Sequence, residues 1–196
     1  TLNYLWNFGD GTTSTLDNPI KTYKAPGFYT VSLKVTSSYG CSDTQVSFVR
    51  VYDMPKANFT VNNWNQCLTT NKFDFVNLST IPTGNGSLTY YWDFGMPGTS
   101  TQMSPSVNFT GTGLQPVAFR ATSSFGCYDD TLNYVYVLQN PDTGIIQMVN
   151  AIPCAGMAGK LSITGTGGTW PYEYSWNGNS YSMKNTFDTA VAGYYK

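Results

Sequence analysis

Hydrophobic and polar positions alternate with a period of two along most of this chain. Tyr29, Val31, Leu33 and Val35 are separated by Thr30, Ser32 and Lys34. Leu2, Tyr4, Trp6 and Phe8 form a second such series, and Leu88, Tyr90, Trp92 and Phe94 a third. Successive side chains of a strand point to opposite faces, so this is the pattern of strands with one face buried. Further strands are predicted at 46–52, 57–61, 72–78 and 132–138. Turn chemistry separates them: Gly9-Asp10-Gly11, Ala25-Pro26-Gly27 and the Gly-rich stretch 83–86. No segment carries a capped pattern with the 3.6-residue period of a helix. The predicted class is all-β, built of antiparallel sandwiches with an inward tryptophan on a central strand.

The alternation also repeats. "YLWNFGDGTTS" at 4–14 returns as "YYWDFGMPGTS" at 90–100, and "VTSSYGCSDT" at 35–44 returns as "ATSSFGCYDD" at 121–130. Both pairs are offset by 86 residues, so the intervening stretch keeps its length. A register held over that distance marks a tandem duplication. Three units are predicted: 1–53, an N-terminally incomplete sandwich; 54–139, a complete one; and 140–196, a partial third β unit of different, Gly- and Thr-richer sequence. By the repeat offset, about 32 residues of the first unit are expected upstream of Thr1.

Composition narrows the chemistry. Histidine is absent, which removes the commonest general base and every Ser-His or Cys-His arrangement. Charged residues make up 11% and the net charge is −1, with no basic cluster to neutralise phosphates, so nucleic acid is not an expected partner. No apolar run approaches the ~18 residues of a membrane span, and direct membrane insertion is not expected. An enzyme acting through these residues is not expected either. Aromatic residues reach 16%, so burial is plentiful while the surface relies on neutral polar groups.

The segments "WNFGDGTTS", "KTYKAPGFYTVSLKVTSSYGC" and "YYWDFG" resemble the signature of PKD domains. That resemblance implies Ig-like sandwiches arranged in tandem in surface and secreted proteins. The second copy departs from the pattern, with Met96 and Pro97 in place of Asp10 and Gly11. From Cys154 onward the chain resembles the SprB-type repeat, through Gly167, Gly168, Pro171, Tyr172, Tyr174, Ser175 and Trp176 and then Ala192, Gly193 and Tyr195. Trp170 stands where those repeats commonly have proline. This second resemblance implies gliding-motility adhesins of Bacteroidetes, exported by the type 9 route.

Four cysteines follow from the same register. Cys67 lies between the first two strands of the complete copy and Cys127 at the turn before its last, so the two are expected to meet at one end of the sandwich as a disulfide. Cys41 is the counterpart of Cys127; its partner is expected upstream, and that of Cys154 beyond Lys196. Such a bridge would contribute roughly 4 kcal/mol on the chain-entropy argument and implies an oxidising, extracytoplasmic setting.

The remaining candidates are few. Asp10 is the one metal candidate, for Ca²⁺ held with neighbouring carbonyls, against ordinary Asp-Gly turn chemistry. No other cofactor is expected. Trp6, Trp92 and Trp176 read as core residues, whereas Trp64 and Trp170 sit in Asn- or Gly-rich stretches and are candidates to contact a ligand through exposed rings. Thr131 and Thr189 lie in Asp-Thr-Leu and Asp-Thr-Ala triplets similar to a Bacteroidetes O-glycosylation signal.

These features point to a repetitive extracellular stalk or adhesin segment of a large cell-surface protein, attached at the outer membrane and acting in surface adhesion and gliding. Its expected partners are extracellular surfaces or polysaccharide, with the secretion and motility machinery engaged through the parent protein. The alternative is a spacer or carbohydrate-binding accessory region of a secreted multidomain hydrolase. Proline in each connector limits bending, so the array is expected to be semi-rigid.

Overall fold

A computed structural model describes residues 1–150, 159–176 and 178–190, with the side chains of 187–190 excepted. Its described residues are strands, turns and one three-residue 3-10 turn, Leu68–Thr70, so the all-β expectation holds. No helix among them is long and apolar enough to cross a membrane.

In the first third, β1 (Leu2–Asn7), β2 (Thr13–Ser14), β3 (Gly27–Ser37) and β4 (Ser42–Val51) form one antiparallel sheet in the order β2-β1-β3-β4. The strands exist because the alternating apolar set Tyr4, Trp6, Val31, Leu33 and Val35 lies on one face. Among the described residues no second sheet covers that face, and it stays half-buried: Val49 is 37% exposed, whereas its repeat counterpart Val135 is fully buried.

The middle third is a two-layer sandwich. Its strands are β5 (Phe59–Val61), β6 (Asn65–Cys67), β7 (Phe73–Asn77), β8 (Leu88–Asp93), β9 (Thr99–Ser100), β10 (Ser106–Val107), β11 (Gly113–Ser123) and β12 (Tyr128–Leu138). One layer has the order β10-β7-β5 and the other β6-β12-β11-β8-β9. Between them lies an aromatic core of Phe59, Phe73, Phe75, Trp92, Phe94, Phe109 and Phe119 with Val117, Val135 and Val137. Trp92 is fully buried, stacked on Phe119 with centroids 3.9 Å apart and met edge-on by Phe59 at 5.1 Å. Offset and edge-to-face pairs of this kind add to the stabilisation from area burial alone. Buried Asn71 closes one end: it accepts from the Phe109 N–H at 2.7 Å and donates to the carbonyls of Phe109 and Leu68.

The duplication is visible bond by bond. The Trp6 indole N–H donates to the Leu16 carbonyl at 3.0 Å, and that of Trp92 to the Gln102 carbonyl at 2.9 Å. Phe8 N–H donates to Thr12 as Phe94 N–H does to Gly98, and Ser37 to Cys41 as Ser123 to Cys127. Each pair is offset by the same 86 residues. The hydroxyls of Ser37 and Ser123, also equivalent, are both buried without a hydrogen-bond partner.

In the last third β13 (Pro141–Asn150), β14 (Gly159–Gly167) and β15 (Thr186–Ala190) make an antiparallel sheet in the order β13-β14-β15. Trp176, expected as a strand core residue, lies outside these strands and is half-buried, with its indole N–H directed to the Lys184 carbonyl. The SprB-like positions Cys154, Ala192, Gly193 and Tyr195 lie outside the described residues.

The expected bridge between Cys67 and Cys127 is not formed, and both thiols are free. The reason is topological. β6 joins the five-stranded sheet parallel to β12, with Cys67 opposite Leu138, whereas Cys127 precedes Tyr128 at the other end of the same 11-residue strand. A strand that long holds its ends on the order of 30 Å apart, far beyond the ~7 Å between Cα atoms that a disulfide spans.

Candidate functional site

Asp10 is a turn residue. Its Oδ1 accepts from the Thr12 N–H at 3.1 Å and the Thr12 hydroxyl at 2.6 Å, and its Oδ2 meets Lys21 Nζ at 2.5 Å. The Lys21 and Thr12 hydrogen bonds hold its carboxyl at about 2, below the ordinary 3.8. Both oxygens are therefore engaged, one by a cation, and the group is poorly placed to ligate Ca²⁺. Among the described residues no three of His, Cys, Asp and Glu stand together as a metal site.

The other sequence candidates are dispersed. Trp64 is 38% exposed, tilted against core Phe59 at 6.2 Å, and its carbonyl accepts from the Tyr136 N–H. Trp170 is 78% exposed in the turn after β14. No ring contact joins the two tryptophans among the described residues, so they do not form one aromatic surface by contact. Thr131 is half-buried within β12, paired with buried Phe119 on the side of the strand that carries Val135 and Val137, a poor position for a glycan. Thr189 belongs to β15, but its side chain lies outside those described.

Two features that sequence reasoning did not single out are better assembled. The first is a joint between the first sheet and the sandwich. At the end of β4, the Arg50 guanidinium lies over the rings of Phe28 at 4.8 Å, Tyr52 at 4.7 Å and Phe125 at 5.7 Å. Phe125 belongs to the β11–β12 turn and stacks on Tyr52. Asp53 then accepts from the Thr83 N–H at 3.1 Å. A guanidinium among ring faces is attracted by their quadrupoles, and the connector is thereby bound to both sides.

The second is a groove of about 440 Å³ on the outer face of the five-stranded sheet. Its floor is Ala118 on β11. Strand register places Tyr91, Arg120 and Asp130 in one row across β8, β11 and β12, and Asp93, Ala118 and Leu132 in the next. A methyl group between larger neighbours creates the depression. Arg120 and Asp130 are paired bidentately at 2.6 and 2.8 Å, and the guanidinium lies 4.2 Å from the Tyr128 ring centroid. The pairing holds the Asp130 carboxyl below its usual range and raises the Arg120 guanidinium. Asp93 uses Oδ1 to accept from Gly95 N–H at 2.9 Å. The available signal was the outward parity of these positions; the three-strand register that unites them is not in the alternation.

Residues 1–51 match the family model described as PKD domain. Collagenase ColA of Bacillus cereus is 46% identical over 57 residues, which are 29% of this chain and 6% of the collagenase. The pre-pro-metalloprotease PrtV of Vibrio cholerae is 45% identical over 56 residues, again 29% of this chain and 6% of the relative. The chain thus spans about 6% of the length of these curated relatives. Among solved structures, the PKD1 domain of Vibrio anguillarum Epp is 28% identical and is covered to 96%, against 44% of this chain, with a TM-score of 0.38. Within the PKD match lies the Asp10–Lys21 pair. At the equivalent positions of the sandwich stand Met96 and Val107, so the ion pair is replaced on both sides at once.

Proposed function

We propose that this chain is a non-catalytic accessory and spacer region of a larger secreted protein, and that the parent is a multidomain hydrolase. The observation that carries the reading is the local match, at 45–46% identity, to segments of a collagenase and a metalloprotease many times longer than the matched stretch. The residues themselves favour a mechanical part: histidine is absent, the titratable groups with displaced pKa values are paired into turns and strand surfaces, and the Arg50 joint resists bending between neighbours. Units 1–53, 54–139 and 140–196 would then act as successive spacers.

A second reading is an adhesin stalk at the outer membrane, contacting extracellular surfaces or polysaccharide and serving gliding motility after type 9 secretion. The resemblance of the segment from Cys154 onward to the SprB-type repeat is what favours it. Labelling intact source cells and fractionated culture medium with an antibody against this chain separates the two. Antigen in the medium, co-purifying with hydrolytic activity, is expected. Filaments on unpermeabilised cells with no released antigen would replace the hydrolase reading with the adhesin.

A further inference from the structure

We propose that the groove over Ala118 is a binding site for an uncharged polysaccharide, gripped along the middle of its chain. The site goes beyond the spacer role, since a spacer with no ligand would still hold its neighbours apart.

The chemistry of the lining selects the ligand class. Tyr91, 47% exposed, and Leu132, 53% exposed, offer apolar surface on two sides of the floor. Aromatic faces of this kind stack on the apolar C–H face of a sugar ring while the hydroxyl stays wet. Around them stand planar polar groups: Asp93, with one carboxylate oxygen left by the Gly95 bond, and the Arg120–Asp130 pair. Arg120 and Asp130 spend their facing edges on each other, and the pairing holds in place the remaining guanidinium N–H groups and carboxylate lone pairs, which can bond hydroxyls. Because the Arg120 charge is already cancelled by Asp130, the groove holds no free cation to draw an anionic chain.

A peptide is a poorer occupant. Extended peptides bind sheets by adding a strand at an edge, through main-chain hydrogen bonds. This groove lies on the face of a central strand, where β11 is paired on both sides by β8 and β12, so its floor offers no free backbone donors. The groove is also open at the surface, which suits an internal segment of a long chain rather than a terminus.

The repeat supplies an internal comparison. The equivalents of Tyr91, Asp93, Ala118, Arg120, Asp130 and Leu132 in the first sheet are Leu5, Asn7, Ser32, Lys34, Thr44 and Val46. The tryptophan and turn bonds are shared by both copies, but the ring, both carboxylates and the guanidinium are not. The groups proposed to hold a sugar are therefore among those that distinguish the sandwich from the first sheet.

The test is affinity electrophoresis of the 196-residue chain through gels containing hydroxyethyl cellulose, xylan or soluble starch, with gelatin in parallel. Retardation by at least one polysaccharide is expected. Tyr91→Ala should weaken it by about ten-fold, as loss of a stacked ring implies, and Ala118→Tyr, which fills the depression from the exposed face, should abolish it. Leu5→Ala at the equivalent first-sheet position should leave it unchanged, and circular dichroism verifies that each variant is folded. Migration unaffected by every polysaccharide, retention by gelatin alone, or retardation that survives both Tyr91→Ala and Ala118→Tyr would each overturn the assignment.

Discussion

The rings of Tyr52 and Phe125 stack at a centroid distance of 3.7 Å and an angle of 12°, and they do so across the boundary between the two repeats. Tyr52 follows the last strand of the first sheet; Phe125 sits in the β11–β12 turn of the sandwich. Arg50 caps both rings. The connector between repeats is therefore a packed joint rather than a free hinge.

Phe125→Ala and Arg50→Ala should each loosen that joint by about 1–2 kcal/mol, the range of an aromatic stack or a cation over ring faces. Residual dipolar couplings from β3 and β11 should fit one alignment tensor in the native chain and require two in Phe125→Ala. Two tensors in the native protein would contradict the joint.

Asn71 should be among the costliest polar positions to change. Its side chain satisfies one buried N–H and two carbonyls. Asn71→Ala leaves them unpaired, and a loss of about 3 kcal/mol is expected from orphaned buried groups. The midpoint of urea unfolding measures it. Ser123→Ala makes the opposite case: its buried hydroxyl has no partner, so removal should be neutral or stabilising by up to about 1 kcal/mol.

Acid should weaken the first turn in a defined window. The Asp10 carboxyl lies at about 2 in the folded chain against 3.8 ordinarily. A depressed folded value means that protonation favours the unfolded state, so the contribution is complete above about pH 4 and is lost as pH falls towards 2. Carboxyl NMR titration should show Asp10 returning towards the ordinary value in Lys21→Ala, because the Lys21 hydrogen bond is the largest cause of the shift.

Cys67 and Cys127 should both react with N-ethylmaleimide in the unfolded, unreduced chain, each as a separate thiol. A peptide joining the two by mass spectrometry would contradict the parallel placement of β6.

The elements and the duplication were legible because alternation and turn residues are local signals. Trp92 was readable as core from its own strand, and the Trp-x-Phe turn from its echo. The pairing of strands was not. β6 is three residues long and joins β12 in parallel, and nothing in its alternation names that neighbour; the cysteine assignment failed there. Thr131 shares its parity with Val135 and Val137, so its half-buried position was within reach of the period-two pattern. The Ala118 groove depends on the register of β8, β11 and β12, and the Arg50 joint on a turn residue, Phe125, packing against a connector far from it in sequence; neither is written in the alternation.

In the proposed role, this region assists a hydrolase without performing its chemistry. Excising residues 1–196 from the parent polypeptide and assaying both forms tests it most directly. An unchanged rate on a small soluble substrate and a several-fold slower attack on an insoluble polymeric one are expected. Loss of turnover on the small substrate in a folded parent, or equal rates on both substrates, would contradict it.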